Sequence, residues 1–289
     1  MAQTRVIQLR IRSVKNAKQI TKALEVVAAA RMRRVLGHVA AARAYGELAA
    51  SIMARIQSSP ELAENAYFNL PEGKPTLYVV FTSDRGQAGA FNSNIFNMCL
   101  KMFKEDKQTP QVIVFGKKGS RFFARLGGID LIGIYENIAD MPEMDVFAPV
   151  FETIEEKVTK SSISKVNLVF TNFVSSLAQQ ATTQGLLPVD LPVAENTGEK
   201  STQTVYELEP SMEEVSTKAI ELFLQARLMQ ARIESVASEH AMRMVAMGNA
   251  HRNASDLIDD LTLELNATRQ AAITQEIAEI TGGAAAIAG

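Results

Sequence analysis

The residues best placed for chemistry lie in one short glycine-containing segment, SDRGQAGAFN, at residues 83–92. This segment directly follows an apolar run at 77–81, and the turn between a strand and a helix is where open α/β sheets bind ligands, phosphates in particular. Gly86 and Gly89, however, give only a G-x-x-G spacing. The segment contains neither G-x-G-x-x-G nor G-x-x-x-x-G-K-S/T, so it lacks both nucleotide-binding fingerprints. A nucleotide site is therefore weakly supported, and a tight turn is the favoured interpretation.

As a turn, the segment would start a helix rather than bind a substrate. We expect Asn92 to cap the helix that follows, because an asparagine side chain can accept a hydrogen bond from an unpaired N–H group at a helix start. Asp84 and Arg85 are expected to be ion-paired or solvated. The nucleotide site stays open as the less favoured alternative.

Histidine and cysteine offer few further options. His240 and His251 are eleven residues apart on one predicted helix face, a separation of about 16 Å, so they cannot share a metal ion. We expect them to be polar residues that fix the register of packed helices. Cys99 is the one cysteine, and its apolar neighbours predict a buried, inert thiol. Since metal-ligand spacings and a G-x-S-x-G motif are also missing, the sequence predicts no catalytic, metal-binding or cofactor-binding residue.

The composition is that of a folded protein. Of the 289 residues, 47% are hydrophobic and 21% are charged, which excludes a disordered or collagen-like chain, and a single cysteine excludes a disulfide scaffold. No stretch reaches the roughly 18 apolar residues of a membrane helix, and the first residues lack a signal-peptide pattern. We therefore expect the chain to stay in the cytoplasm.

Charge is distributed unevenly along the chain. Residues 1–57 carry eleven basic and two acidic side chains, whereas residues 211–289 carry six basic and eleven acidic ones. Three partners suit the basic segment: nucleic acid, an acidic protein surface, or the acidic C-terminal segment of the same chain. The basic run at 31–34 has no aromatic neighbours on which bases could stack, which does not favour nucleic acid.

Two long helices are predicted, one at each end of the chain. Residues 3–57 contain no proline, and alternating steps of three and four residues from Ile7 to Ile56 follow a mainly apolar seam. Residues 211–283 are also free of proline and show a similar seam, with Ser211 as a plausible cap at the start. The two helices are expected to form an antiparallel coiled coil, with the middle of the chain inserted at one end.

In the middle of the chain, short apolar runs alternate with helical patterns. The strand candidates are 77–81, 111–115, 131–135 and 166–170, and the helix candidates are 92–104, 117–126 and 146–160. Strands and helices in alternation predict a mostly parallel sheet covered by helices, that is, a Rossmann-like α/β domain. Residues 172–209 are harder to interpret, and 204–208 is a candidate edge strand.

The predicted fold class is therefore α/β plus a long α-helical coiled coil. The N- and C-terminal helices form the antiparallel two-helix coiled coil, and a Rossmann-like α/β domain is inserted between them. The predicted domains are residues 1–57 together with 211–289 as the coiled coil, 75–209 as the α/β domain, and 58–74 as a linker.

Three blocks of sequence resemble the gamma subunit family of F-type ATP synthases. They are VKNAKQITKALEVVAAARMRR at 14–34, SDRGQAGAFNSNI at 83–95, and the block that begins SEHAMRMVAMGNAH at 238 and ends at 286. Their order and spacing are those of the family, and the chain has the family's usual length. The middle block departs from the usual SDRGLCGGFN at positions 87, 88 and 90. The cysteine-containing regulatory insert of plant chloroplast members is missing, so thiol control of that kind is not expected.

The resemblance implies a rotor subunit. In that family the coiled coil is a shaft inside a ring of three alpha and three beta subunits, and the α/β domain is a foot that binds the epsilon subunit and the membrane c-ring. Proton flow turns the c-ring and the shaft, and the shaft drives ATP synthesis on the beta subunits. The resemblance thus implies a non-catalytic subunit that binds no cofactor of its own, because Mg-ATP and Mg-ADP bind the alpha and beta subunits. It also implies that the chain is a peripheral protein at the cytoplasmic face of the bacterial inner membrane, with membrane contact only through the c-ring. No nucleic-acid partner is expected.

The resemblance also implies roles for particular residues. Residues expected to contact beta subunits are Arg269, Gln270, Thr274, Leu24, Arg31, Arg33 and Arg34. The foot loop comprises Ser83, Asp84, Arg85, Gly86, Gly89 and Asn92. Candidates for c-ring contact are Tyr206, Glu207 and Glu209.

Three other functions are compatible with the residue patterns. A coiled-coil scaffold that presents an α/β module would need no hexameric ATPase as partner. An α/β enzyme with a coiled-coil arm would need a ligand at 83–92. A nucleic-acid binder would use the basic N-terminal segment and would show strongly salt-dependent affinity. Without the resemblance the scaffold is favoured, and with it the rotor is.

Overall fold

A computed structural model describes residues 2–57, 65–189 and 211–288 of the chain. Its helices are α1 (Ala2–Gln57), α2 (Phe91–Glu105), α3 (Lys117–Phe123), α4 (Ala148–Thr159) and α5 (Met212–Ala288), with one 3₁₀ turn at Met144–Phe147. Its strands are β1 (Thr76–Phe81), β2 (Gln111–Phe115), β3 (Asp130–Tyr135), β4 (Lys165–Phe173) and β5 (Gln179–Leu187). The predicted α/β sheet and the two long terminal helices are confirmed.

The chain divides into two compact units, each built from separate stretches of sequence. The helix unit comprises Met1–Ala28 and Arg243–Gly289, and the sheet unit comprises Ala29–Met242. Helices α1 and α5 each contribute one part to the helix unit and another to the sheet unit.

In the helix unit, the two helical segments run antiparallel. Nδ1 of His251 donates a hydrogen bond to the main-chain oxygen of Lys18, 3.1 Å away. Position 248 faces Glu25, because a Cβ atom added to Gly248 would lie 3.5 Å from Cδ of that glutamate. Rising numbers on α1 therefore pair with falling numbers on α5. His251 does contact the opposite helix, as the sequence predicted.

In the sheet unit, five strands form one sheet in the order β3-β2-β1-β4-β5. Strands β3, β2, β1 and β4 are parallel to one another, and β5 is antiparallel to β4. The sequence did not predict β5, whose residues QQATTQGLL are mostly polar, although they pair with β4 along its length. The candidate edge strand at 204–208 lies outside the described residues.

The central strand β1 supplies both faces of the core. Leu77, Val79 and Phe81 point to one face, and Tyr78 and Val80 to the other, because successive strand side chains alternate. The first face packs against residues of α1, α4 and α5, among them Met53, Ile154, Phe223, Leu224 and Leu228. The second face packs against α2 and α3 through Ile95, Cys99 and Phe123.

The segment just before the sheet also joins the first face of the core. Tyr67, Phe68 and Leu70 pack against the same buried cluster, and the carbonyl oxygen of Tyr67 accepts a hydrogen bond from the N–H of Val189 at 3.1 Å. The described portion of 58–74 is thus attached to the core by side-chain packing and by a backbone contact.

Candidate functional site

The glycine-containing segment after β1 is closed by its own side chains. The N–H of Ser83 donates to Oδ1 of Asn92 at 3.1 Å, and Nδ2 of Asn92 donates back to Oγ of Ser83 at 2.7 Å. Oγ of Ser83 donates in turn to the carbonyl oxygen of Arg85 at 2.7 Å. Since Ser83 is fully buried, these contacts fill the interior of the turn. The arrangement favours the tight-turn interpretation over a nucleotide site.

The prediction that Asn92 caps α2 is wrong. The residue before the helix is Ala90, and no side chain bonds to the helix start. Asn92 lies one position inside the first turn, and its amide group reaches back to Ser83. Two residues of the segment adopt left-handed backbone conformations, Gln87 with φ 63° and Gly89 with φ 57°. Gly89 adopts this conformation without steric cost, and a side chain there would be strained.

Asp84 connects the ends of three neighbouring strands. Its Oδ1 atom accepts hydrogen bonds from the N–H groups of Lys117 and Asn137, both at 3.0 Å. Lys117 begins α3 after β2, and Asn137 follows β3. The sequence predicted an ion pair or a solvated carboxylate for Asp84, and the structure shows instead an acceptor for two backbone donors.

Two glycines after β2, which the sequence analysis missed, allow the strand ends to approach closely. Gly116 has φ 102°, and a Cβ atom there would lie 2.4 Å from the carbonyl oxygen of Thr82. A Cβ atom on Gly119 would lie 2.5 Å from Oγ1 of Thr82, to which the N–H of Gly119 donates at 3.0 Å. The spacing F-G-K-K-G directly after a strand was the signal that could have identified them.

Residues 136–140, which follow β3, are held by α5 and α1. Nη2 of Arg232 donates to the carbonyl oxygens of Ile138 and Ala139, each at 2.9 Å. Nε2 of His240 lies 3.0 Å from Oδ2 of Asp140, and Nη1 of Arg31 lies 3.7 Å from the same oxygen. The sequence predicted that His240 fixes helix register and did not anticipate Asp140 as its partner.

Two pKa values are shifted in this region, that of Asp140 by a hydrogen bond and nearby charges and that of Arg232 by burial. The hydrogen bond from His240 holds the pKa of Asp140 below its ordinary value, and the positive charges of His240, Arg31 and Arg232 act in the same direction. Burial lowers the pKa of Arg232, although the carboxylates of Glu239, Asp140 and Asp84 oppose that shift. Asp140 is thus stabilised as a carboxylate.

A second polar group joins α1, α5 and the end of β4. Arg43 donates from Nε and Nη2 to the two carboxylate oxygens of Glu234, at 3.0 Å and 2.9 Å. Nη2 also donates to Oδ1 of Asn172 at 2.9 Å and to the carbonyl oxygen of Phe173 at 2.7 Å. The hydrogen bond to Glu234 raises the pKa of Arg43. Sequence reasoning missed this group, because its members are far apart in the chain.

Known proteins of one family match almost the whole length of this chain. A family model described as ATP synthase matches residues 3–287. The ATP synthase gamma chain of Desulforamulus reducens is 36% identical over 287 residues, which are 99% of this chain and 100% of the relative. That of Pelotomaculum thermopropionicum is 35% identical, with the same coverage.

The chain belongs to the ATP synthase gamma chain family. Solved structures of such complexes have a similar fold. A chain of the Euglena gracilis mitochondrial ATP synthase aligns with a TM-score of 0.68 at 19% identity, covering 99% of this chain and 95% of that one. A chain from the central stalk and c-ring of the Tetrahymena thermophila enzyme aligns with a TM-score of 0.64 at 22% identity, covering 80% and 99%.

In this gamma-family chain, most residues predicted to contact beta subunits lie at the surface. Arg269, Gln270 and Thr274 are exposed on α5, and Oγ1 of Thr274 donates to the carbonyl oxygen of Gln270 at 2.9 Å. On α1, Arg33 and Arg34 are exposed. Leu24 is half-buried. Arg31 lies near Asp140, with Nη1 3.7 Å from Oδ2. The candidates for c-ring contact, Tyr206, Glu207 and Glu209, lie outside the described residues.

Cys99 is buried, as predicted. None of its surface is exposed, and burial raises the pKa of its thiol to about 12. Across the described parts of the chain, no three His, Cys, Asp or Glu residues are grouped so that they could hold a metal ion. In the same residues, no helix combines the length and the apolar character that crossing a membrane requires.

Proposed function

We propose that this chain is the central rotor of an F-type ATP synthase, which couples proton translocation through a membrane c-ring to ATP synthesis and hydrolysis on beta subunits. One observation carries the proposal. Two terminal helices of 56 and 77 residues run antiparallel within the helix unit, in a chain that matches the gamma family over 99% of its length. A long paired helical element suits a part that transmits torque.

The mechanism we propose divides the chain by task. The terminal helices wind as a coiled coil, which is stiffer than one helix, inside a ring of three alpha and three beta subunits. The sheet, with a Rossmann-like arrangement, forms the foot that binds epsilon and the c-ring. Mg-ATP and Mg-ADP stay on the alpha and beta subunits, and this chain supplies no catalytic group. It would then be a peripheral protein, held at the cytoplasmic face of the bacterial inner membrane through the c-ring.

Torque requires contacts that differ between beta conformations, since binding shifts an equilibrium only by the difference in affinity for the two states. Exposed polar and basic side chains can provide such contacts. On α5 we propose Arg269, Gln270 and Thr274 for this role, and on α1 we propose Arg33 and Arg34, all of which are exposed. The excess of basic side chains in residues 1–57 suits acidic surfaces on the partners.

Co-expression with alpha and beta subunits from the same source tests this proposal. We expect one copy of this chain to elute with three alpha and three beta subunits, and the Mg-ATPase activity to fall when residues 270–289 are removed. The control is a full-length chain in which the exposed Glu156 is replaced by Gln. This substitution should change neither the subunit stoichiometry nor the Mg-ATPase activity. If the chain stays apart from a folded alpha–beta hexamer, the non-rotary scaffold becomes the better explanation.

A further inference from the structure

Residues 136–140 are bound from three directions. Asp84 accepts from the N–H of Asn137, Arg232 donates to the carbonyl oxygens of Ile138 and Ala139, and His240 binds Asp140. Arg31 on α1 approaches the same carboxylate to 3.7 Å. We call residues 136–140 with these side chains the latch. The latch contacts α1, α5 and the ends of the parallel strands, all within the sheet unit.

We propose that the latch is the joint through which α1 and α5 turn the sheet, and that Asp140 is its positioning residue. This inference rests on the proposed rotor function. A joint that carries torque needs contacts that resist sliding, and hydrogen bonds do so because they weaken steeply when their angle changes. Apolar side chains alone resist sliding less, because hydrophobic attraction has no direction.

Arg232 shows that the latch is built for position rather than for stability alone. Its side chain is 5% exposed, and its hydrogen-bond acceptors in the described structure are two carbonyl oxygens, with Nε left without a partner there. Burying a guanidinium with incomplete pairing is unfavourable, and a well-packed apolar residue would often be at least as stable. The unfavourable burial of Arg232 is understandable if its hydrogen bonds from α5 to residues 138 and 139 have a mechanical role.

Asp140 is the member that joins both helices. Its carboxylate, with 39% of the side chain exposed, meets His240 of α5 at 3.0 Å and Arg31 of α1 at 3.7 Å. Removing this one carboxylate should therefore loosen both attachments while the apolar core beneath the sheet stays intact.

The test uses the complete ATP synthase, reconstituted into vesicles, with the variants Asp140→Asn and Asp140→Ala. Asn keeps the shape and loses the charge, while Ala loses both. In both variants we expect assembly and the rate of ATP hydrolysis to stay near those of the unmodified enzyme. In Asp140→Ala, the number of protons pumped per ATP hydrolysed should fall by about twofold or more, because the loosened joint slips. Asp140→Glu should restore part of the pumping. Glu156→Gln, which alters an exposed ion pair on α4, is the matched control.

Hydrogen exchange in the same complexes gives an independent measurement. Loss of a charge-assisted hydrogen bond should speed exchange of the amides at 137–140 by about tenfold in Asp140→Ala, with β1 and β4 unchanged. Pumping and hydrolysis that fall together would overturn the proposal, because a purely structural role predicts that result. Unchanged pumping despite faster exchange would also overturn it. Failure of the unmodified chain to join the hexamer would instead refute the rotor function.

Discussion

Arg43 and Glu234 form a two-point ion pair, although 190 residues of chain separate them. The carboxylate is buried, and the guanidinium also reaches Asn172 and the backbone of β4. Bidentate pairs of this kind fix orientation as well as distance. The pair therefore sets the register of α1 against α5 and holds both at the end of the sheet.

Removing the buried partner of this pair should be costly. We expect Glu234→Ala to reduce the free energy of unfolding by about 2 kcal/mol, because Arg43 loses its two-point hydrogen bond and the buried N–H of Phe173 loses its acceptor. Urea unfolding of the purified chain, followed by circular dichroism, measures the change. Lys218→Met, which breaks the exposed pair with Glu221, is the control and should stay within about 0.5 kcal/mol. Equal effects in the two variants would contradict the interpretation.

Asp84 should matter as an acceptor more than as a charge. In Asp84→Ala, the N–H groups of Lys117 and Asn137 lose their partner, and we expect a loss of about 2 kcal/mol in the free energy of unfolding. Asp84→Asn keeps an acceptor oxygen and should lose less than half as much. The same urea titration compares the two variants. Equal losses for Asn and Ala would show that the charge of Asp84 matters more than its acceptor oxygen.

Cys99 should resist alkylation in the folded chain. Its thiol is buried and its pKa is raised to about 12, so the reactive thiolate is scarce at pH 8. We expect iodoacetamide to modify the native chain at least about a hundredfold more slowly than the chain in urea. Intact-mass spectrometry over time gives both rates. Rapid labelling without urea would mean that α2 opens readily from the sheet.

Acid should remove the contribution of Asp140. Its pKa is lowered in the folded state, so its carboxylate stabilises the fold above the ordinary carboxyl pKa of 3.8, and this stabilisation is lost as pH falls through the lower folded value. The difference in unfolding free energy between the unmodified chain and Asp140→Asn should thus shrink as the pH falls below about 5. Urea titrations at a series of pH values test this. If this difference in unfolding free energy grew as the pH fell, the prediction that acid removes the contribution of Asp140 would be wrong.

Gly248 offers a stabilising substitution. It lies in the interior of α5, where glycine is unfavourable, and an added Cβ atom would make ordinary contact with Glu25 at 3.5 Å. We expect Gly248→Ala to raise the free energy of unfolding by about 0.5–1 kcal/mol. Gly116→Ala is the contrasting variant, since its Cβ atom would collide with Thr82 and its φ is positive. That variant should be destabilised in the same titration.

The main elements of the fold could be predicted because each has a local signal. Leu77, Val79 and Phe81 belong to one unbroken apolar run, which is typical of a strand buried on both faces. The long helices were evident because proline is missing and the apolar spacing persists. Strand β5 gave no such signal, since its residues lie at the sheet edge and are mainly polar, so its pairing with β4 comes from tertiary contact.

The latch and the Arg43 group could not be predicted, because their members meet only after the chain has folded. Asp84 is 53 residues from Asn137, and Asp140 is 100 residues from His240. No spacing rule covers such distances in a single sequence. The tight turn at 83–92 was predictable as a turn, but its internal bonding was not, because Ser83 competes successfully for the side chain of Asn92.

The division of α5 between the two units has a consequence for biosynthesis. Phe223, Leu224 and Leu228 belong to the same buried cluster as Met53 and Phe81, yet a ribosome adds them after every strand of the sheet has been made. One face of the nascent sheet, which α1 and α4 cover only in part, therefore stays incompletely covered until the last quarter of the chain has emerged. During translation that face is a surface that a chaperone can bind, and the sheet unit becomes complete only when synthesis is nearly finished.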